Sequence, residues 1–239
     1  KLANVTPIFK KGSKSAPGNY RPVSLTCIIC KVMESLIKDA IVEHLAGNSL
    51  IKSSQHGFTA GRSCLTNLLE YMEELTSLVE EGHSVDMFYL DFTKAFDLVP
   101  HRRLLVKLRG LGIQGKVASW VEEWLSDRKQ RVVLNGEVSD WGDILSGVVQ
   151  GSVLGPTLFL CFINDLDLAV DMTMAAGGEQ RGSIIKKFAD DTKWGRVVES
   201  AEDRACFQAG LDSLQACADN WQMQYNVDKC HILHVGKQQ

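Results

Sequence analysis

The sequence has little of what marks secreted or membrane proteins. Its seven cysteines stand at irregular spacings in a chain of 239 residues, and an odd number of scattered cysteines is not typical of a disulfide framework. No signal peptide opens the chain, and the longest nearly apolar run, Val153–Ile163, is too short to cross a bilayer. The sequence therefore predicts a soluble protein of a reducing, intracellular compartment, nuclear or cytoplasmic or both, with no membrane partner.

The chain also has little excess of charge of either sign, but its basic and acidic residues are unevenly distributed along the sequence. The formal net charge is −3, which by itself favours no particular partner. Six basic residues precede the first acid, Glu34, and these are Lys1, Lys10, Lys11, Lys14, Arg21 and Lys31. A basic arm ahead of a more acidic remainder suits a polyanion held near carboxylates that bind cations. A solvated, lysine-rich surface explains the arm equally well.

The chain is long and apolar enough for a folded core. Hydrophobic residues make up 45% of it, which suits one globular unit of one or two lobes. No internal repeat or low-complexity tract interrupts the pattern. The chain begins without methionine, directly in patterned sequence, which indicates a fragment of a longer protein.

Hydrophobic periodicity predicts helices segregated from a few mainly antiparallel strands, which is an α+β fold. The predicted helices cover 26–47, 64–79 with Ser63 as N-cap, 101–110, 117–125, 152–166 and 206–221. The predicted strands cover 85–92, a hairpin over 131–138 with Asn135-Gly136 at its turn, a second hairpin of 184–188 and 193–198, and 231–235. Residues 1–24 predict an extended arm with turns at Gly12 and Pro17-Gly18, and residues 175–182 predict a loop.

Acidic residues occur where two of these strands end. Asp91 lies at the end of the strand 85–92, and Asp190 and Asp191 occupy the tip of the second hairpin. If the two strands are neighbours, three carboxylates converge, and their repulsion calls for divalent cations. Carboxylate oxygens favour Mg²⁺ or Mn²⁺, and two such ions about 4 Å apart form the clamp of in-line phosphoryl chemistry. Taken singly, each acid is explained as well by a helix cap or a turn.

Several short motifs recur in a definite order along the chain. They are Asn19–Leu25, Gln55–Ser63, Asp91–Asp97 with Val99–His101, Gln150–Pro156, Phe188–Asp191, and Trp221–Asn226 with Lys229 and Cys230. In order and spacing these resemble the two fingers motifs, motifs A, B, C and D, and the approach to motif E of reverse transcriptases. The specific resemblance is to non-LTR retrotransposons of the LINE type, near the jockey and chicken-repeat groups.

The resemblance implies a right-hand polymerase with an α+β fold. Fingers would occupy 1–84 and a palm 85–235, the palm having a small antiparallel sheet packed on helices, with part of the fingers contributed by inserted segments. Residues 236–239 would begin a thumb that is largely absent, and all of this would form one reverse transcriptase domain. The implied activity is an RNA-directed DNA polymerase that adds dNTPs to a primer 3′-OH on an RNA or DNA template, with two Mg²⁺ or Mn²⁺ ions.

The resemblance also implies roles for the residues of the chemical step. Asp91 and Asp190 would coordinate the two metal ions, and Asp191 would support the second acidic position. Phe92 would offer its backbone carbonyl to a metal. Lys229 would donate a proton to pyrophosphate, although a lone lysine is otherwise an ordinary surface charge.

Five further residues are implied to contact the incoming nucleotide. Phe96 matches an aromatic steric gate that disfavours a ribose 2′-OH, a role compatible with a core aromatic. Gln150 and Gly151 match the position beside the nucleotide and template, where glycine allows close backbone approach. Arg21 and Arg62 would hold the triphosphate with guanidinium forks, although arginines in loops are usually solvated.

Three positions depart from the family pattern and keep other hypotheses open. Val149 stands where proline is usual, Trp194 where a smaller apolar residue is usual, and Tyr225 where phenylalanine is common. None removes a ligand, but Val149 would loosen the turn that positions Gln150. A catalytically silent remnant that binds nucleic acid is therefore the second hypothesis. A metal-binding α+β protein that does not act on nucleotides is the third, and it leaves Phe96 and Gln150 unexplained.

Overall fold

The structure is a computed structural model that describes residues 1–175 and 182–236. Most of the loop predicted over 175–182, and residues 237–239 of the segment predicted to begin a thumb, lie outside the described residues. The chain divides into two compact units, one of Lys1–Leu50 with Phe96–Phe162 and one of Ile51–Ala95 with Ile163–Gln239. Across the described ranges, no helix has the length and apolarity needed to cross a membrane.

The order of strands and helices along the chain is close to the one that the periodicity predicts. The strands are β1 (Leu2–Phe9), β2 (Tyr20–Leu25), β3 (Val85–Leu90), β4 (Lys129–Leu134), β5 (Glu137–Val138), β6 (Gly142–Asp143), β7 (Ile184–Phe188), β8 (Asp191–Val197) and β9 (His231–Val235). The helices are α1 (Ile28–Gly47), α2 (Cys64–Glu80), α3 (Ala95–Leu98), α4 (His101–Gly110), α5 (Gly115–Leu125), α6 (Gly155–Ile163), α7 (Leu166–Ala175) and α8 (Ala201–Asn220).

The first unit is built on a mixed sheet. β1 pairs with β2 in antiparallel and with β4 in parallel orientation, and β4 also pairs with β5 and β6. The arm predicted over residues 1–24 is therefore a β-hairpin. The predicted turn at Asn135-Gly136 is confirmed, because both residues have the positive φ angles, 51° and 86°, that a type I′ turn requires.

Helix α1 buries a different face from the one that its apolar residues suggest. Ile29 and Leu36, two of the residues that indicate the helix, are 79% and 63% exposed. The buried positions are Glu34, Ile41 and Leu45, which recur at helical spacing on one face. The periodicity thus located the helix, while an acidic residue takes a core position.

The helix predicted over 152–166 is shorter in the structure and begins at Gly155. The Ser152 hydroxyl donates to the Val149 carbonyl at 2.7 Å and accepts from the Gly155 N–H at 3.0 Å. These two bonds close a turn in front of α6, so Ser152 terminates the preceding loop instead of entering the helix.

The second unit is built on a four-stranded antiparallel sheet in the order β7-β8-β3-β9. α2 packs on β7 and α8 packs on β8, which confirms a small antiparallel sheet packed on helices. A cluster of buried residues joins α2 to the sheet, and it comprises Tyr71, Leu75, Val85, Met87, Ile184 and Val197. Burying each large apolar side chain stabilises the fold by about 1.5–3 kcal/mol.

Local signals fix the start of α2 in this unit. The Ser63 side chain accepts from the Thr66 N–H, and the Thr66 hydroxyl accepts in return from the Ser63 N–H at 2.9 Å. This capping box confirms Ser63 as the N-cap. Such a cap contributes about 1 kcal/mol.

Candidate active site

Three carboxylates lie at one end of the antiparallel sheet of the second unit. Leu90, the last residue of β3, pairs with Thr192 near the start of β8. Asp91 follows Leu90, and Asp191 precedes Thr192. Because the two strands are antiparallel, both aspartates lie at the same end of the sheet. Asp190 lies in the turn between β7 and β8. The two strands that the sequence associates with acidic residues are thus neighbours, and the three aspartates lie at the same end of the sheet.

The turn that carries Asp190 has an unusual backbone. Ala189 has a φ angle of 57°, in the left-handed region. For a residue other than glycine, this backbone conformation is less stable than the right-handed one by about 1–2 kcal/mol. Ala189 is also buried, so its peptide groups need partners inside the protein. Surrounding residues must therefore hold this turn.

The carboxylates repel one another in partly dehydrated surroundings. Burial raises the pKa of Asp190, the charges of Asp191 and Asp91 raise it further, and Lys229 opposes them. Burial and the charge of Asp91 likewise raise the pKa of Asp191, against Lys229 and Lys193. The Asp191 residue lies at the surface, yet the surrounding chain still removes part of the water around its carboxylate. A cation would relieve both effects.

Lys229 supplies one positive charge to this cluster. Its Nζ donates to Oδ2 of Asp91 at 2.6 Å. The contact links the segment after α8 to the end of β3. It places the Lys229 ammonium beside Asp91.

The donor set fits hard divalent cations in its chemistry. Carboxylate oxygens with few competing protein donors favour Mg²⁺ or Mn²⁺. In the part of the chain that the structure describes, no three His, Cys, Asp or Glu side chains already surround a single point. Lys229 engages Oδ2 of Asp91 instead, so a cation at that oxygen would have to displace the lysine, while Oδ1 is a second possible ligand.

Phe92 and Tyr225 anchor the segment that follows Asp91. Their rings stack at a centroid distance of 4.5 Å, and the Tyr225 hydroxyl donates to the Leu214 carbonyl at 3.4 Å. Burial raises the pKa of Tyr225 strongly. The tyrosine that replaces the usual phenylalanine thus has both a ring partner and an acceptor.

The ring of Trp194, the second departure, is also accommodated, although its Nε1–H has no hydrogen-bond partner among the described residues. It is fully buried on β8 and stacks on Phe207 at 4.9 Å. Gly210 of α8 faces the indole, and a Cβ at that position would lie 2.2 Å from a ring carbon. The glycine therefore provides the space that the larger side chain needs.

Phe96 and Gln150 lie together in the first unit. Phe96 stacks on Phe159 at 4.3 Å, and the Val148 N–H donates to the Phe96 carbonyl at 2.7 Å. Gln150 donates from Nε2 to Oδ1 of Asp97 at 2.7 Å. The segment with Phe96 and Asp97 is thereby joined to the loop with Gln150.

Gly151 permits a close approach of backbone to backbone. Its φ angle is 94°, and a Cβ there would lie 2.7 Å from the Ser24 carbonyl oxygen of β2. The Ser24 N–H also donates to the Gln150 carbonyl at 2.8 Å. In this structure the glycine therefore seats the loop against β2.

The two arginines named by the resemblance differ in their surroundings. Arg21 is exposed on β2, opposite Ile8 of β1. Arg62 lies in the second unit, where its Nη1 donates to the Ser53 carbonyl and lies 3.1 Å from Nε2 of His56. The Arg62 guanidinium is thus bound to its own loop.

Two buried polar residues, Glu34 and Gln55, make contacts that the sequence interpretation does not assign to them. Glu34 accepts from Nε1 of Trp124 at 3.1 Å and from the Val153 N–H at 2.7 Å. It therefore holds the loop before α6 from within the first unit. The available signal was its phase, because Glu34 shares a helix face with Ile41 and Leu45. Gln55, in the second unit, contacts the turn at Ala189, and nothing in its sequence position indicated that bond.

The chain has the fold of a right-hand polymerase. The structure of apo telomerase from Candida tropicalis, truncated from its C-terminal domain, superimposes with a TM-score of 0.70 at 13% identity, over 99% of this chain and 51% of that one. Telomerase from Candida albicans in complex with a TWJ fragment of telomeric RNA gives a TM-score of 0.72 at 10% identity, over 100% and 42%. At these identities the likeness establishes the fold alone.

Sequence comparison gives the family. Residues 8–239 match the profile described as "Reverse transcriptase (RNA-dependent DNA polymerase)", so the chain belongs to the reverse transcriptase family. It is 29% identical over 96% of its length to the RNA-directed DNA polymerase from mobile element jockey of Drosophila melanogaster, and 30% identical over 95% to that of Drosophila funebris. The resemblance to jockey-like elements is confirmed. The chain spans 25% of the length of each of these relatives.

Proposed function

We propose that the chain is the polymerising part of an RNA-directed DNA polymerase from a non-LTR retrotransposon. It would add dNTPs to a primer 3′-OH by two-metal-ion catalysis. The observation that carries the proposal is the convergence of Asp91, Asp190 and Asp191 at the end of one sheet in a chain of the reverse transcriptase family. In the reaction the primer 3′-OH loses its proton to solvent and its oxygen bonds to the α-phosphorus, while the bond from that phosphorus to the pyrophosphate oxygen breaks.

In the proposed site the acidic residues bind the metal ions and Lys229 donates a proton. Asp91 and Asp190 would hold two Mg²⁺ or Mn²⁺ ions, with Asp191 as support and the Phe92 carbonyl as a further ligand. When bound, the ions activate the attacking hydroxyl and stabilise the leaving pyrophosphate. Lys229 would give a proton to the leaving group, a role supported by its position 2.6 Å from Asp91.

The remaining residues are proposed to select and position the nucleotide. Phe96 would stand against the 2′ position of the sugar, and Gln150 and Gly151 would lie beside the base pair that forms. Arg21 is exposed and available to a triphosphate. Arg62 would first have to leave its contact with the Ser53 carbonyl.

We assign fingers to 1–84, palm to 85–235 and the start of a thumb to 236–239. A template of RNA or DNA with its primer is the proposed partner. The β1–β2 hairpin supports binding of a nucleic acid, because its loop carries Lys10, Lys11 and Lys14 beside two aromatic rings. These are the rings of Phe9 and Tyr20, whose centroids are 5.4 Å apart. Basic groups attract phosphates, and aromatic rings stack on bases.

An intracellular place of action, nuclear or cytoplasmic, is supported by the seven free cysteines.

Primer extension tests the proposed function. The purified chain, a poly-A template with oligo-dT, labelled dTTP and either Mg²⁺ or Mn²⁺ should give incorporation that needs template, primer and metal. The double variant Asp190→Asn, Asp191→Asn should lose it. Primer–template binding without incorporation under either metal would instead favour the catalytically silent remnant.

Replacing Phe96 tests the nucleotide specificity. Phe96→Ala should raise the ratio of kcat/KM for rUTP to that for dTTP by at least about tenfold, because the side chain would no longer exclude the 2′-OH. Both kcat/KM values are measured on the same primer and template.

Phe159→Leu is the matched control, because it disturbs the ring that stacks on Phe96 without removing the gate. It should lower thermal stability and leave the ratio near that of the unmodified chain. If the ratio of kcat/KM for rUTP to that for dTTP rose equally in both variants, Phe96 would be a core residue and not a steric gate.

A further inference from the structure

Gln55 makes an unusual set of hydrogen bonds to one residue of the acidic hairpin. It is only 1% exposed. Its Oε1 accepts from the Ala189 N–H at 2.9 Å, and its Nε2 donates to the Ala189 carbonyl at 3.3 Å. Oε1 also accepts from the Gly57 N–H at 2.8 Å. One side-chain amide therefore pairs with both backbone polar groups of Ala189, as a neighbouring strand would.

The contacted residue is the one whose backbone most needs support. Ala189 is buried in a left-handed conformation directly before Asp190. Water cannot satisfy its peptide groups there, and an alanine without such partners favours an ordinary right-handed or extended backbone. The Gln55 amide supplies both partners. The conformation that precedes Asp190 is thus fixed from outside the hairpin.

Gln55 is itself held in place by the backbone around it. The Lys187 N–H donates to the Ser54 carbonyl at 2.8 Å, and the His56 N–H donates to the Lys187 carbonyl at 2.9 Å. Gln55 and Lys187 therefore form a parallel bridge at the edge of β7. From this register the side chain reaches Ala189, two residues further along.

Gly57 closes the same arrangement. A Cβ on Gly57 would lie 2.3 Å from the Ala189 nitrogen and 3.0 Å from the Phe188 carbonyl carbon. Only a residue without a side chain lets the segment approach this closely. The segment Gln55-His56-Gly57 therefore packs against the turn in two ways. The Gln55 amide bonds to Ala189, and Gly57 has no side chain to collide with it.

We propose that Gln55 is a positioning residue of the polymerase site, which sets the turn at Ala189 and through it the places of Asp190 and Asp191. The inference rests on the proposed function of these aspartates. Reaction geometry is sensitive to small shifts, because a displacement of about 1 Å can lower a rate about 10²-fold. Gln55 would thus govern metal affinity and kcat without touching substrate.

The test compares two variants that each remove one buried amide. Gln55→Met keeps the length of the side chain and loses all three bonds. Asn67→Leu is the matched control: the buried Asn67 amide donates to the Lys187 carbonyl at 3.1 Å and accepts from Nζ of Lys193 at 3.0 Å, and it makes no bond to the turn at Ala189. Both variants should fold with somewhat lower Tm.

Three readouts separate positioning from a general loss of stability. In Gln55→Met, amide hydrogen exchange at residues 57 and 189 should be about tenfold faster, and Mn²⁺ affinity by calorimetry should be about tenfold weaker. The kcat for dTTP should fall about 10²-fold, with KM changed less than about twofold. Asn67→Leu should retain the Mn²⁺ affinity and kcat of the unmodified chain.

Each alternative result has a definite meaning. Unchanged exchange, Mn²⁺ affinity and kcat in Gln55→Met would overturn the inference, and so would equal losses in the two variants. If the unmodified chain bound Mn²⁺ but incorporated no nucleotide, the proposed function would fail. The exchange rates and Mn²⁺ affinities of the variants would then still decide whether Gln55 positions the aspartates. No Mn²⁺ binding by the unmodified chain would overturn both.

Discussion

Asp190→Asn is expected to abolish nucleotide incorporation while raising the thermal stability of the metal-free protein. The amide is a poor ligand for a hard cation, so the stabilisation of several kcal/mol that a metal ion gives the transition state would be lost. With each 1.4 kcal/mol worth a factor of ten, kcat should fall by at least about 10³-fold. Primer extension with labelled dTTP measures this loss.

The gain in stability follows from the repulsion among the carboxylates. Burial and the charges of Asp191 and Asp91 raise the pKa of Asp190. A raised pKa in the folded state means that the stability this group contributes is fully present below its unfolded pKa and is lost as pH rises through its folded pKa. Above its folded pKa the ionised Asp190 therefore destabilises the fold, and the neutral amide does not.

The dependence on pH provides a second measurement of the same effect. Without divalent metal, the Tm of the unmodified chain should fall relative to that of Asp190→Asn as pH rises from about 4, near the ordinary aspartate pKa, towards neutrality. Adding Mg²⁺ should narrow the difference, because the cation binds the folded unmodified chain in preference.

Asp86→Asn is the matched control on the same sheet. Asp86 lies on β3 and its Oδ1 is 2.6 Å from Nδ1 of His234, away from the three-aspartate cluster. This variant should keep incorporation and show no gain in Tm. If Asp190→Asn were equally active, or less stable than the unmodified chain in the absence of metal, the cluster would not be a site of repelling carboxylates that bind metal.

Local sequence signals predicted much of this fold because they act over few residues. Ser63 caps α2 through Thr66, three positions away, and Asn135-Gly136 supplies the two positive φ angles of its hairpin. Each of these features depends on neighbours along the chain. The same holds for the acidic hairpin, whose strands flank Asp190 directly.

The residues that hold the site depend on long-range bonds, and these were not predictable. Gln55 bonds to Ala189, 134 positions away, and Glu34 bonds to Val153, 119 positions away. Both are buried polar side chains, which composition normally assigns to the surface. Periodicity indicates which face is apolar, and it cannot name the distant backbone groups that a buried amide or carboxylate satisfies.

The buried pair of Lys187 and Asp167 carries the largest expected effect on stability. Lys187 on β7 is fully buried, forms an ion pair with Asp167 of α7 and donates to the Asn164 carbonyl at 3.0 Å. The Ser54 hydroxyl donates to Oδ2 of Asp167 at 2.5 Å. Burial lowers the pKa of Lys187, and the charge of Asp167 opposes that shift. Each charge is therefore tolerated because of the other.

Lys187→Met should lower the free energy of unfolding by about 3–5 kcal/mol, because it leaves the carboxylate of Asp167 buried without a counter-charge. At about 2–4 °C per kcal/mol for a protein of this size, Tm should fall by about 10 °C. Urea unfolding and thermal unfolding at neutral pH measure the two quantities. Asp167→Asn alone should have a loss of the same sign, since it isolates the buried ammonium.

The double variant decides whether the loss comes from an isolated charge. Lys187→Met with Asp167→Asn contains no buried charge at these positions, and an amide oxygen can still accept from the Ser54 hydroxyl. It should therefore be more stable than either single variant, because a neutral replacement of a buried ion pair is usually well tolerated. Losses that simply add in the double-mutant cycle would mean that the two side chains stabilise the unit independently. A positive coupling would place a buried ion pair beneath the strand that leads to Asp190, and so connect the stability of this unit to the hairpin that carries its acidic residues.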